Sequence, residues 1–200
     1  SEIIAPQIWQ DVNEPTYPEN QTVERPVVPL KYRTISTDVA SLKSFLQNTP
    51  KRFSPEAEMT AAILELPMPN NSMKSFKVTQ TQVMHPDLAA KYPEIKTYAG
   101  VGIDDPTSTM VLTINPSGIR GMILSTQHKT VNIRPYATGE KSILMSYYIS
   151  DLNEAEAEHW DCGVMHDAKD IEETTQLGEV AGDCKLRTYE FALACTGGYA

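Results

Sequence analysis

The stretch EHWDCGVMHDAKD, residues 158 to 170, sets one cysteine among carboxylates with a histidine on either side. Cys162 is open there to four chemistries: metal ligand, half of a disulfide, nucleophile, or inert thiol. His159, Cys162 and His166 are spaced by three and four, so one helical turn could gather them. Structural zinc takes four ligands and often uses CxxC, so solvated histidines on a polar segment are the preferred reading of that trio. Cys184 and Cys195 bracket one strand-like run. Eleven residues at about 3.3 Å each put their Cα atoms roughly 36 Å apart, far beyond the ~4.4–6.8 Å of a disulfide. A Cys162–Cys184 pair stays open.

Nothing else reads as a catalytic centre. The chain has no HExxH, no GxSxG and no phosphate-cradling glycine loop. His85, His128, His159 and His166 fall on different elements. Asp104 and Asp105 would face opposite ways in a strand and cap a turn otherwise. No catalytic residue and no cofactor of its own is assigned to this chain.

The elements that would position such residues follow from periodicity. Residues 1–30 carry Pro6, Pro15, Pro18, Pro26 and Pro29 with no sustained apolar period; they read as an extended arm docked at Trp9. VASLKSFLQ, from Val39, puts Val39, Leu42 and Leu46 on one helical face, with Asp38 or Thr37 as the cap and Pro50 as the stop. From residue 57 the pattern becomes strands: AEMTAAILELPMP, SFKVTQTQVMH, IKTYAGVGID, STMVLTINPSG, IRGMILSTQ, KTVNIRPYA and SILMSYYIS. Asn115-Pro116-Ser117-Gly118 reads as a hairpin turn, and HPDLAAKYP as a helical turn bounded by prolines. Tyr147 and Tyr148 read as core. The fold class expected is mainly β, an antiparallel β-sandwich or barrel with one or two short helices, followed by an acidic C-terminal segment.

That acidic segment dominates the charge. From Asp151 to Asp183 there are eleven Asp and Glu against one Lys, a net of −10, so the rest of the −9 chain sums to +1. A nucleic-acid partner is therefore excluded. No run of about 18 apolar residues provides a membrane span. The start, SEIIAPQIWQDVNE, has no signal-peptide pattern, which a processed exported chain would also lack. KLRTYEFALACTGGYA, at the end, alternates as one more strand without a partner.

Cys162-Gly163-Val164 matches the CGV core of the cysteine switch in zymogens of adamalysin/reprolysin-type and matrix zinc metalloproteases. HPDLAAKYPEIKTYAGVGIDDPTSTMVLTINPSGIRGMILS resembles the prodomain of secreted bacterial reprolysin-like zinc metallopeptidases, with AAKYPEIKTYAGVGIDDP its most specific part. KLRTYEFALACTGGYA looks like the first strand of their catalytic domain. The resemblance implies a prodomain body over 31–150, an acidic linker with the switch over 151–183, and a truncated metallopeptidase domain from 184 to 200. It implies that Cys162 is an inhibitory ligand to the zinc of the parent protease, in a loop with Trp160, Gly163 and Val164. The partner implied is the metallopeptidase domain of the same polypeptide; the compartment is the cell envelope or outside, after signal-peptide removal. The chain departs from the family pattern before the cysteine: His159-Trp160-Asp161 stand where a proline and a basic residue are usual, and Trp160 would replace that anchor by packing in the substrate groove. The competing reading is a free-standing extracellular β-sandwich that binds carbohydrate or protein, which would need an exposed aromatic platform.

Overall fold

In a computed structural model, residues 2–18 and 23–152 are described. Their central feature is one sheet of ten strands, with three short helices where one or two were expected. Seven strands form a continuous antiparallel meander: β4 (Ala61–Pro67), β5 (Met73–Thr81), β6 (Lys96–Gly102), β7 (Thr109–Asn115), β8 (Gly118–Leu124), β9 (Val131–Pro135) and β10 (Ile143–Tyr148). These are the seven runs legible in the sequence. The first needs a correction: its opening residues, Ala57 to Met59, belong to the helix α2 (Pro55–Met59). Ser54 stands at its N-cap, Pro55 occupies the first turn, and Glu56 and Glu58 complement the positive end of the helix dipole.

The remaining strands come from the N-terminal third. β1 (Glu2–Ile4) pairs parallel with β4; β2 (Trp9–Asp11) pairs antiparallel with β3 (Arg33–Thr37), which pairs with β10. The sheet order is thus β1-β4-β5-β6-β7-β8-β9-β10-β3-β2, and its two edge strands are neighbours in the chain. A flat ten-stranded sheet would be about 43 Å wide at ~4.8 Å per strand. The five residues from Ile4 to Trp9 reach at most about 18 Å. The sheet must curl, and it forms a half-barrel rather than two stacked layers. Glu2–Ile4 and Trp9–Asp11 are therefore strands of the sheet, beyond the single contact expected at Trp9.

Alternation along the strands fixes which side is core. Ala62, Leu64 and Leu66, then Phe76 and Val78, then Met110, Leu112 and Ile114 point to the concave face and are buried. Across the register Val78, Gly100, Met110, Ile123 and Val131 form one row. Helix α1 (Val39–Gln47) completes this core with Leu42, Phe45 and Leu46. Its N-terminus is held as the sequence suggested: Asp38 Oδ1 accepts from the N–H groups of Ala40 and Ser41, each at 3.1 Å.

A second, smaller cluster lies on the other face of β10. Met145 and Tyr147 alternate with Leu144 and Ser146, and the arm packs over them with Tyr17, Val23 and Val27. Tyr147 is fully buried, as the core reading required, and β10 is therefore covered on both faces.

Candidate functional site

Cys162, Trp160, Gly163 and Val164 lie outside the described residues, as do His159, His166, Cys184 and Cys195. The structure therefore does not place the expected inhibitory loop. Among the described residues no three His, Cys, Asp or Glu gather in a way that could hold a metal ion. His85 sits at the N-cap of α3 (Pro86–Lys91), where its Nδ1 faces the Asp87 N–H at 3.4 Å. His128 is remote from it in sequence and lies beside the Lys129 carbonyl.

The adjacent aspartates settle as a turn. Asp105 is buried; its Oδ1 accepts from the Thr107 N–H at 3.0 Å, from Gln127 Nε2 at 3.0 Å and from the Thr107 hydroxyl, and its Oδ2 accepts from Ser125 Oγ at 2.6 Å. The Ser125 and Thr107 hydrogen bonds hold its carboxyl below the usual range. This carboxylate ties the β6–β7 turn to the β8–β9 loop. Four hydrogen bonds from within the fold converge on it, so it acts as a fastener.

The arm is fastened by a different chemistry. The Arg25 guanidinium lies 3.9 Å from the centre of the Tyr136 ring and 5.4 Å from that of Tyr32. Tyr32 and Tyr136 hydroxyls donate to the two carboxylate oxygens of Glu14, at 2.6 and 3.1 Å. The Tyr32 bond holds the Glu14 carboxyl below its usual value, and burial pushes the Tyr136 hydroxyl above its own. The Glu14 carboxylate thus ties Tyr32 to Tyr136, and the Arg25 guanidinium covers both rings.

One cleft does face outward. It has a volume of about 800 Å3 and lies between the end of α1, the loop at 51–53, the last residues of β5 and the start of β6. Tyr98 and Ile114, both buried at the concave face, form its floor. Lys43, Lys51, Arg52 and Lys96 line it against the carboxylate of Glu94, a net of +3. No carboxylate among the described residues pairs with any of these four cations. The loop is pinned to β5: Arg52 N–H donates to the Gln80 carbonyl at 2.8 Å, and Gln80 N–H donates to the Pro50 carbonyl at 2.9 Å.

At the lip of this cleft Phe53 is 90% exposed, with φ 65°. A bulky residue in the left-handed region is strained. The Arg52 guanidinium lies 4.8 Å from its ring centre. This site carries no signal in the sequence: its cations come from three separate elements, and residues 51–56 fall between the helix stopped at Pro50 and the strand pattern that starts at residue 57.

No family model matches the chain, and neither the curated proteins nor the solved structures contain a match to it.

Proposed function

We propose that this chain is the inhibitory and folding-assisting propeptide of a secreted zinc metalloprotease, with the Cys162 thiolate as the blocking group. The observation that carries this reading is the Cys162-Gly163-Val164 tripeptide, set in an acidic segment directly after a β body that resembles such prodomains. The most specific stretch of that resemblance, AAKYPEIKTYAGVGIDDP, runs through α3, β6 and the Asp105 turn, which are scaffold elements. A body of this kind supports covering and folding a protease rather than chemistry of its own.

Thiolate sulfur is a strong zinc ligand, so the donor at Cys162 fits the metal of the parent protease. A catalytic zinc there supplies an activated water for attack on the peptide bond. Cys162 would take the position of that water, and Gly163 would let the backbone approach closely. Cleavage of the linker would lower the local concentration of the thiol and release the inhibition.

The test is a titration of the mature protease with the 1–182 fragment and with its Cys162→Ala version. The expected result is inhibition that the alanine version loses by about tenfold or more. Equal inhibition by both would discard the thiol and leave a steric block.

A second reading, a module that binds protein, is favoured by one observation: the cation-lined cleft with Phe53 at its lip. The exposed aromatic platform that the carbohydrate version needs is not supplied by Tyr147, which is buried.

A further inference from the structure

We propose that the cleft at the 51–53 loop is a docking site for an extended acidic peptide carrying an apolar side chain between its carboxylates. The inference rests on the cleft alone and needs neither zinc nor Cys162.

Three independent features converge on it. The charge is the first: Lys43 from α1, Lys51 and Arg52 from the loop, and Lys96 from β6 are spread around the cleft and exceed its one carboxylate by three. Cations on three elements suit several spaced carboxylates better than one compact anion. Charge complementarity of this kind sets orientation and speeds encounter.

The floor is the second feature. Tyr98 and Ile114 lie at the base, and Ile95 and Met84 line the wall. Burial raises the Tyr98 hydroxyl above its ordinary value, so it stays a neutral group beneath the cations. A wholly polar polyanion would leave this floor unused. A fatty acid would use it but would find Gln47, Gln80, Thr81 and Thr97 around it, which are partners for peptide amides.

Phe53 is the third. An exposed phenylalanine buries little surface for the isolated fold, and its backbone is strained as well. Phenylalanine and arginine are both enriched in protein interfaces. Its loop is held to β5 by the two backbone hydrogen bonds at Gln80, so the ring is presented rather than free to fold away.

The experiment is fluorescence anisotropy on the full chain. The probe is a fluorescein-labelled decapeptide of glutamates with one phenylalanine and one leucine at alternate central positions. The expected result is saturable binding that weakens with salt, and that falls at least about tenfold, a loss of 1.4 kcal/mol, with Lys43→Glu combined with Arg52→Glu. Phe53→Gly should weaken binding by a similar factor while the thermal midpoint holds or rises, because glycine accepts φ 65° without strain. Cys162→Ala should leave binding unchanged, so failure of the thiol switch and failure of this site are told apart. The proposal is overturned by absence of saturable binding at millimolar peptide, or by binding that the charge reversal leaves intact. Equal affinity for the glutamine version, or for a version with alanine at both apolar positions, also overturns it. So does an oligonucleotide or a fatty acid that occupies the cleft where the peptide does not.

Discussion

The Trp9 indole Nε1–H donates to the Glu65 carbonyl at 2.6 Å, and this bond joins β2 to β4, strands at opposite ends of the sheet order. Three more bonds converge on the same end of β4. Arg33 reaches from β3 to the Met68 and Ser72 carbonyls at 3.2 and 2.9 Å while gripping Asp11 with its other nitrogens, and Ser146 Oγ donates to the Pro67 carbonyl at 2.8 Å. The half-barrel is thus drawn together by side chains where strand pairing stops.

Trp9→Phe keeps the ring and removes the donor. It should lower the unfolding free energy by about 0.5–1.5 kcal/mol, the net contribution of one part-buried hydrogen bond, read from urea denaturation. Trp9→Ala should cost about 3–5 kcal/mol, because it also opens a cavity. Combining Trp9→Phe with Arg33→Met should show a coupling of at least about 0.5 kcal/mol, since both act on one seam. Strict additivity would mean that the two ties hold the sheet independently.

The meander was legible because each strand alternates cleanly and each turn carries its own signal. Asn115 Oδ1 accepts from the Ser117 N–H at 2.9 Å and Gly118 has φ 121°, as a hairpin written Asn-Pro-Ser-Gly requires. α1 was legible from Asp38 and the spacing of Leu42 and Leu46. The seam was not. β1 and β2 are three residues each, too short to show a period, and they are separated by Pro6. β3, RTIST, has one apolar residue, and its partners lie in distant parts of the chain. The cleft is illegible for the same reason: it exists only where α1, the 51–53 loop and β6 meet.

The run GVGIDDP acquires a packing explanation. A Cβ on Gly102 would lie 2.5 Å from the Asp105 carbonyl oxygen, and one on Gly100 would lie 3.0 Å from Met110 Cγ. Gly102→Ala should therefore destabilise the fold by about 1–3 kcal/mol, the range for overpacking against backbone. Gly139→Ala is the comparison, since its added methyl meets nothing within 4 Å and only its φ of 82° is strained. A smaller midpoint loss at Gly102 than at Gly139 would refute the steric account.

Asp105 predicts a pH dependence. Its hydrogen bonds to Ser125 and Thr107 lower its folded pKa below the unfolded value near about 4. A group lowered in this way contributes stability that is fully present above the unfolded pKa and is lost as pH falls through the folded one. Asp105→Asn should thus be less stable than the parent at neutral pH, and the gap should close below about pH 4. A gap that stays constant into acid would show that the charge of Asp105 is irrelevant and only its shape matters.

The arm is held by Arg25, and this can be read one amide at a time. The Thr138 N–H donates to the Glu24 carbonyl at 2.9 Å, next to the residue whose guanidinium covers Tyr136. A cation–π contact that is partly desolvated is worth about 1–2 kcal/mol. Arg25→Ala should therefore let the segment around Glu24 open more often and speed hydrogen exchange at Thr138 by roughly tenfold. The amides of Val78 and Leu112, in the concave core, should exchange as before. Arg25→Lys restores charge without the planar stack, so it should recover only part of the protection. Uniform acceleration across Thr138, Val78 and Leu112 would mean that the arm and the half-barrel open together as one cooperative unit, and that Arg25 contributes to global rather than local stability.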